Sequence, residues 1–157
     1  MDITTMSDAS DQIRNLMFAY AEAVDRGNFD RLSELFAHGT LRLGGGPGVS
    51  GTDAGAFIRD AVIVYDDGTP RTKHVTTNVA IEVDDANGRA TAHSYVMVLQ
   101  QIPGRGIEVI LSSRYEDTFE RVGGVWRFAD RVSHRDLTGD VTHHLRRAAG
   151  HNRQAEG

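Results

Sequence analysis

The sequence contains no cysteine. A chain without thiols has no disulfide framework, no cysteine nucleophile and no cysteine metal site, so several classes of enzyme are excluded at once. Proline is scarce as well, with three residues against 17 glycines. The breaks between elements must therefore be marked mainly by glycine.

Long apolar runs and an excess of basic residues are also missing. No run approaches the roughly 20 apolar residues that span a bilayer, and residues 1–10 lack the basic start and apolar core of a signal peptide. A cytoplasmic location is therefore expected. The formal net charge of -5 argues against a nucleic-acid or anionic-membrane partner, because both need a basic surface. A small-molecule partner is favoured instead.

The length of 157 residues suffices for one domain with a hydrophobic core and is too short for two ordinary ones. We assign one domain to residues 10–138 and expect residues 1–9 to be a flexible N-terminus. Residues 139–157 are predicted to form a partly disordered tail with one helical turn at 143–149.

Three helices are predicted in the first part of the chain. The first helix is predicted from apolar residues that recur at intervals of three and four, namely Ile13, Leu16, Met17, Tyr20 and Val24. Asn28 is predicted to cap a second, shorter helix that ends near Gly39. Thr52 or Asp53 is predicted to cap a third helix, which Gly68 and Pro70 terminate.

Strand patterns fill the remainder of the domain. A short strand is predicted at 40–43, followed by a glycine-rich loop at 44–48 that lacks the lysine of a phosphate-binding loop. After Pro70, alternating runs are separated by turn signals near 86–88, 103–106 and 123–124, which predicts an antiparallel meander of four long strands. Strands of roughly 12 to 15 residues must curl. The predicted fold is therefore α+β, a cone-shaped curved sheet that encloses a pocket with the three helices.

His74 lies near the start of the first long strand. Strict alternation places Thr76 and Asn78 on the same face, and that polar face is either solvated or lines a wet pocket. We predict that it lines the pocket. A histidine is readily tuned to take a proton near neutral pH, and a carboxylate on its other ring nitrogen fixes the tautomer. Asp25, at the end of the first helix, is the candidate partner, and Tyr20 is placed to border the same cavity.

Three amphipathic helices, a short strand flanked by glycine and a long antiparallel meander together resemble the nuclear-transport-factor-2-like cone, and specifically its SnoaL-like branch. The resemblance covers residues 10–138. That branch includes polyketide cyclases, scytalone dehydratase, bile-acid 7α-dehydratase and hexachlorocyclohexane dehydrochlorinase. It implies the cone fold and a reaction that needs neither cofactor nor metal.

The resemblance also implies roles for individual residues. Asp25 and His74 match the pair that removes the proton in the lyases of this branch. Tyr20 and Arg131 match positions of pocket residues in its dehydratases and dehydrochlorinase, which implies hydrogen-bond donors to a leaving group. Thr72 departs from the dehydrochlorinase, which has a cysteine there, and this argues against the same halogenated substrate.

Other polar side chains are candidates for binding a substrate. His93 and Tyr95 share one face of the second long strand, and this face forms either a cavity wall or a contact with a partner subunit. His134 on the last strand is either a core histidine or part of the wall. His74, His93 and His134 show no metal-binding spacing, so no metal site is predicted.

The favoured activity is that of a cofactor-independent, dehydratase-like lyase acting on a small cyclic or polyketide-like substrate. An isomerase or polyketide cyclase would use the same proton abstraction and stays open as an alternative. A ligand-binding or assembly module without chemistry is the third reading. The long strands carry apolar residues on both faces, which predicts a homodimer or homotrimer formed through the outer face of the sheet.

Overall fold

The computed structural model describes residues 8–147 as three helices and six strands. The helices are α1, Ala9–Asp25; α2, Phe29–Leu35; and α3, Ala54–Ala61. The strands are β1, Thr40–Leu43; β2, Val49–Ser50; β3, Thr72–Asp84; β4, Arg89–Gln100; β5, Glu108–Val122; and β6, Val125–Thr138. The predicted flexible N-terminus lies outside the described residues up to position 7, whereas Ala9 already belongs to α1.

Local capping explains where the first two helices begin. The side chain of Asp8 accepts a hydrogen bond from the Ser10 backbone at 3.4 Å, and that of Asn28 accepts one from the Arg31 backbone at 3.1 Å. The predicted apolar stripe of α1 is buried, including Tyr20. The sequence pattern therefore identified both helices, although α2 ends at Leu35, before the predicted end near Gly39.

The N-terminus of α3 differs from the prediction, because neither Thr52 nor Asp53 caps it with a side chain. A short 3₁₀ turn at Gly51–Asp53 precedes the helix, and Ser33 from α2 supplies the cap instead. The Ser33 hydroxyl accepts from the Gly55 backbone at 3.0 Å and donates to the Thr52 carbonyl at 2.7 Å. A side chain at Gly55 would meet the Phe29 carbonyl oxygen, so only glycine allows α2 and α3 to approach this closely.

The six strands form one sheet in the order β2-β1-β6-β5-β4-β3. The four long strands make the predicted antiparallel meander. Two edge features were not predicted. The short β1 runs parallel to β6, and the glycine-rich loop leads into β2, which pairs with β1.

An irregularity in β3 changes which residues face the helices. Pairing with β4 shifts between Thr77 and Ala80, and Asn78 adopts a φ of 52°. The bulge exchanges the two faces of the strand, so that inward-facing positions are even-numbered before it and odd-numbered after it. His74 and Thr76 face inward before it, whereas Val79 and Ile81 pack against the core after it. The predicted placement of Asn78 beside His74 on the pocket wall is therefore wrong, and Asn78 is exposed.

A second irregularity, in β6 at Ala129, has a similar effect. Phe128 pairs with Phe119 and Asp130 with Thr118, so the extra residue lets both Phe128 and Arg131 point into the core. His134 consequently lies on the outer face, where its ring is 3.3 Å from the Glu116 carboxylate. It belongs neither to the core nor to a cavity wall.

The inner face of β4 is the one that does not carry His93 and Tyr95. Small or β-branched residues face the helices, namely Ala90, Ala92, Ser94, Val96 and Val98. His93 and Tyr95 point outward and are exposed, so their predicted place in the cavity wall is wrong. The alternative prediction, that this face meets a partner subunit, agrees with their position.

The C-terminal segment is packed as far as the structure describes it. Leu145 forms a bridge to Val62, and the His143 carbonyl accepts hydrogen bonds from the Tyr65 hydroxyl at 2.6 Å and the Gln100 amide at 3.1 Å. Residues 139–147 therefore fold back across the end of the cone. The part of the predicted helical turn beyond residue 147 lies outside the described residues.

None of the helices within residues 8–147 has the length and apolar character needed to cross a bilayer.

The outer face of the sheet carries a patch of exposed apolar side chains, which we call the outer patch: Tyr95, Met97, Val109 and Leu137. Met97 and Leu137 both oppose Ser112 in register, so the patch spans three strands on either side of this serine. We predict that it forms the interface of a homodimer or homotrimer, because contiguous apolar surface commonly marks an interaction site.

Met97→Asp is expected to convert the oligomer into a monomer, because association would bury an unpaired charge in the outer patch. Sedimentation velocity at micromolar concentration measures this directly. Asp60→Lys changes an exposed charge on α3 and serves as the control that should leave the mass unchanged. A parent protein that sediments as a monomer would remove the prediction.

Candidate active site

A cavity of about 340 Å³ lies between the helices and the inner face of the sheet. This is near the lower end of the range for small-molecule sites, roughly 300 to 1,000 Å³. Seven polar residues line it together with aliphatic side chains: Tyr20, His74, Ser113, Tyr115, Ser133, Arg135 and His144. Such a mixture favours a small, largely apolar ligand that carries a few oxygen atoms.

His74 lines this cavity, and Asp25 contacts it from behind. The last residue of α1 places its carboxylate 2.6 Å from Nδ1 of His74 near the start of β3, and both side chains are only 9% exposed. The same carboxylate accepts hydrogen bonds from the His74 backbone and the Thr72 hydroxyl, each at 2.8 Å. These contacts hold the proton on Nδ1 and leave Nε2 as an acceptor. The geometry is that of a general base with its orienting carboxylate.

Tyr20 borders the cavity from α1, as predicted. It is 4% exposed, and its ring packs edge-on against those of Phe36 and Tyr115, with centroids 6.0 and 5.9 Å away. Burial raises the pKa of Tyr20, although the Arg131 guanidinium opposes the increase. The phenol is therefore protonated at neutral pH and is able to donate a hydrogen bond.

Arg131 does not line the cavity, contrary to its predicted role. Its Nε and Nη2 atoms donate to the two carboxylate oxygens of Asp117, both at 2.7 Å. The guanidinium carbon lies 4.4 Å from the ring centroid of Tyr20 and 3.9 Å from that of Tyr115. Burial alone would lower the pKa of Arg131, but Asp117 keeps it above its usual value. Arg131 thus forms a buried ion pair behind the aromatic wall.

His144 was not predicted and comes from the folded C-terminal segment. It is 5% exposed, and its backbone carbonyl accepts a hydrogen bond from the Ile63 backbone at 2.7 Å. Its Nδ1 atom is buried without a hydrogen-bond partner among residues 8–147. Burial, followed by the nearby His74, lowers the pKa of His144 to about 4, so this imidazole is neutral at physiological pH.

The depressed pKa of His144 predicts a dependence of stability on pH. An unfolded histidine titrates near 6.5, so between pH 6.5 and about 4 the unfolded chain binds a proton that the folded chain does not. The stabilisation is complete above pH 6.5, falls as the solution is acidified and is gone near pH 4. The shift in the pKa of His144 corresponds to a change of about 3 kcal/mol in the free energy of unfolding.

Urea unfolding at pH 7 and pH 4.5 checks this prediction, with His144→Leu compared against the parent protein. The free energy of unfolding should decrease less on acidification in the variant, because this proton is no longer linked to folding. His93→Leu, at an exposed position, is the matched control and should behave like the parent. Equal acid sensitivity in His144→Leu and the parent would contradict the prediction.

Several cavity residues had no usable signal in the sequence. Ser113 and Tyr115 alternate on β5, but their inward orientation depends on the register with β4 and β6. Ser133 and Arg135 follow the β6 irregularity, which turns both toward the cavity. The three histidines considered for a metal site do not meet, since His74 lies inside and His93 and His134 lie on the outer face.

Comparison with known proteins places this geometry in a family. A model of the SnoaL-like domain family matches residues 5–132. A search of curated proteins found no match.

Three solved structures illustrate the likeness in fold. A Novosphingobium aromaticivorans protein assigned as a scytalone dehydratase is 24% identical, with 83% of this chain and 86% of the other covered and a TM-score of 0.66. A hexachlorocyclohexane dehydrochlorinase from Novosphingobium barchaimii is 18% identical, with 83% and 88% covered and a TM-score of 0.65. A Mycobacterium tuberculosis protein of unknown function is 24% identical, with 80% and 70% covered and a TM-score of 0.64. These similarities confirm the predicted cone fold.

Proposed function

The chain belongs to the SnoaL-like domain family, and from that premise we propose that it is a cofactor-independent lyase of the dehydratase type acting on a small cyclic or polyketide-like molecule. The observation that supports this most strongly is the Asp25–His74 pair, whose 2.6 Å contact orients a histidine at the wall of the cavity. A solvated or purely structural histidine would not need a carboxylate fixed by two further hydrogen bonds.

In the proposed reaction, Nε2 of His74 removes a proton from the carbon next to a carbonyl group. The electron pair of the broken C–H bond moves toward the carbonyl oxygen and gives an enolate. The enolate then collapses, the C–O bond to the β-hydroxyl breaks, and the hydroxide takes the proton from the His74 imidazolium to leave as water. Asp25 stabilises the imidazolium between the two steps.

Tyr20 is assigned to the oxygen that gains charge. Its hydroxyl is protonated at neutral pH and it lines the same cavity as His74. A preorganised donor of this kind contributes about 3 to 4 kcal/mol of transition-state stabilisation in other enzymes. The aliphatic side chains that line the rest of the cavity lower the local polarity, which strengthens that interaction.

An isomerase or cyclase would use the same proton abstraction as the proposed lyase, whereas a binding module would catalyse no step. Deuterium exchange separates them. We expect the parent protein in D₂O to exchange the α-hydrogens of cyclohexanone faster than His74→Ala does. The exchange is measured by proton NMR. His134→Ala changes a histidine on the outer face and is the matched control, which should retain the parent rate.

The product identifies the reaction that follows exchange. Formation of 2-cyclohexenone from 3-hydroxycyclohexanone indicates elimination, whereas its formation from 3-cyclohexenone indicates isomerisation. A parent protein that neither exchanges nor converts these ketones faster than His74→Ala would favour the binding module and oppose the proposal.

A further inference from the structure

The imidazole of His144 is one of the polar groups that line the cavity and have no role in the proposed reaction. The segment that carries it is fixed by other atoms, which are the carbonyl oxygens of His143 and His144 and the side chain of Arg146, whose Nε donates to the Val62 carbonyl at 2.7 Å. The His144 ring therefore has no part in anchoring its own segment. It is held at the cavity wall, and its Nδ1 atom has no hydrogen-bond partner within residues 8–147.

Burial lowers the pKa of His144 most, and the charges around it add to that effect. His74 lies close enough to lower the pKa of His144, Arg135 lowers it further, and only Asp25 acts in the opposite direction. A neutral imidazole carries one N–H and one lone pair. An N–H buried without an acceptor is costly, so the orphaned Nδ1 favours the tautomer with the proton on Nε2.

We propose that His144 is a second catalytic residue, whose neutral imidazole donates an Nε2–H hydrogen bond to the substrate oxygen that becomes negative when His74 takes the proton. The inference rests on the proposed function and extends it to the class of substrate, an enolisable ketone or a similar carbonyl compound. The carbonyl oxygen lies between His144 and the Tyr20 hydroxyl, and the carbon that loses its proton lies next to His74.

A neutral His144 imidazole is better suited than a protonated one to donate this hydrogen bond. A protonated His144 would repel the imidazolium that forms at His74 and would oppose the proton transfer. A neutral imidazole polarises a carbonyl without adding a second positive charge to the cavity, and neutral histidine serves as such an electrophile in other enzymes that form enolates.

The test uses 4-nitrophenol, a small phenol whose anion presents an oxygen with negative charge, together with protein labelled with ¹⁵N-histidine. Binding is expected to shift the His144 ring nitrogen resonances, with the bonded proton on Nε2. His144→Leu is expected to bind the probe about tenfold more weakly. His144→Gln retains a donor of similar reach and should recover most of the loss. His134→Leu is the matched control without effect.

The same variants distinguish catalysis from packing. His144→Leu removes an unpaired buried polar atom, so it should unfold at pH 7 no more easily than the parent, yet its ketone exchange rate should decrease by about 10²- to 10³-fold. A structural histidine would show the opposite pattern, with lower stability and unchanged exchange. Hydrogen exchange of the Ile63 amide reports whether the C-terminal segment stays in place.

Each other outcome has a definite meaning. A probe that does not bind, that binds without shifting His144, or that binds equally to His144→Leu overturns the proposed hydrogen bond. The expected shifts without any ketone exchange in the parent would retain the oxygen site and reject the lyase. Exchange that needs His74 but is unaffected in His144→Leu would retain the lyase and reject the role of His144.

Discussion

Replacing His74 with alanine is expected to lower the rate of ketone exchange, and kcat for any true substrate, by about 10²- to 10⁴-fold. The variant loses the group that takes the proton, whereas the cavity and its aromatic wall remain. Folding should be preserved, because the His74 backbone N–H still donates to Asp25. Circular dichroism and thermal unfolding of His74→Ala verify the fold before the rate is measured.

Asp25→Asn is expected to slow the same reaction, but the two losses should not multiply. If Asp25 acts by orienting and polarising His74, the carboxylate supports nothing once the imidazole is gone, so the double variant should be no slower than His74→Ala alone. Multiplicative losses would show that the residues do not act as a unit.

The structure also predicts a cost in stability for changing Asp25. The carboxylate accepts three hydrogen bonds, from Thr72 and from the backbone and ring of His74. An amide cannot accept at both of its atoms, so Asp25→Asn is expected to cost about 1 to 3 kcal/mol of unfolding free energy.

Arg131→Met is expected to destabilise the protein by about 3 to 5 kcal/mol, because it leaves the Asp117 carboxylate buried without its partner. The two side chains are 1% and 0% exposed, so water cannot replace the lost contact. Urea unfolding at pH 7 measures the change. The double variant Arg131→Met/Asp117→Leu removes both charges and should be much closer to the parent in stability.

The exposed pair between Arg114 and Asp136, at 3.2 Å, supplies the control. Arg114→Met should cost about 0 to 1 kcal/mol, because solvent screens that pair. If Arg131→Met cost no more than Arg114→Met, the buried pair would not be the structural support inferred here. A double variant that is soluble and folded, together with an Arg131→Met variant that is unfolded, would support the structural role of the buried pair.

The sequence predicted elements well where the determining interactions are local. Helix caps such as Asn28, the turn signals between strands and the length of the long strands all follow from neighbouring residues. The Asp25–His74 contact also followed, because the resemblance to the family identified a helix end and a strand start that the cone brings together. The confirmed predictions of fold need no knowledge of strand register.

Register is where sequence reasoning failed. The bulges at Asn78 and Ala129 each exchange the two faces of a strand, and they moved Asn78 and His134 out of the cavity. Arg131 meets Asp117 because the two residues are direct partners across β5 and β6, which alternation within one strand cannot show. His144 was missed because its segment is held through backbone carbonyl groups, which have no side-chain signature.

The parallel pairing of β1 with β6 has a consequence for the order of folding. Thr40 pairs with Asp130, and the Gly44 backbone donates to the Ser133 carbonyl at 2.8 Å, so one rim of the cavity joins segments that are distant along the chain. Closing so long a loop is entropically expensive and is favoured only after the hairpins have formed. The cavity is then among the last features to assemble, and a ligand that fills it would slow unfolding while leaving the rate of folding unchanged.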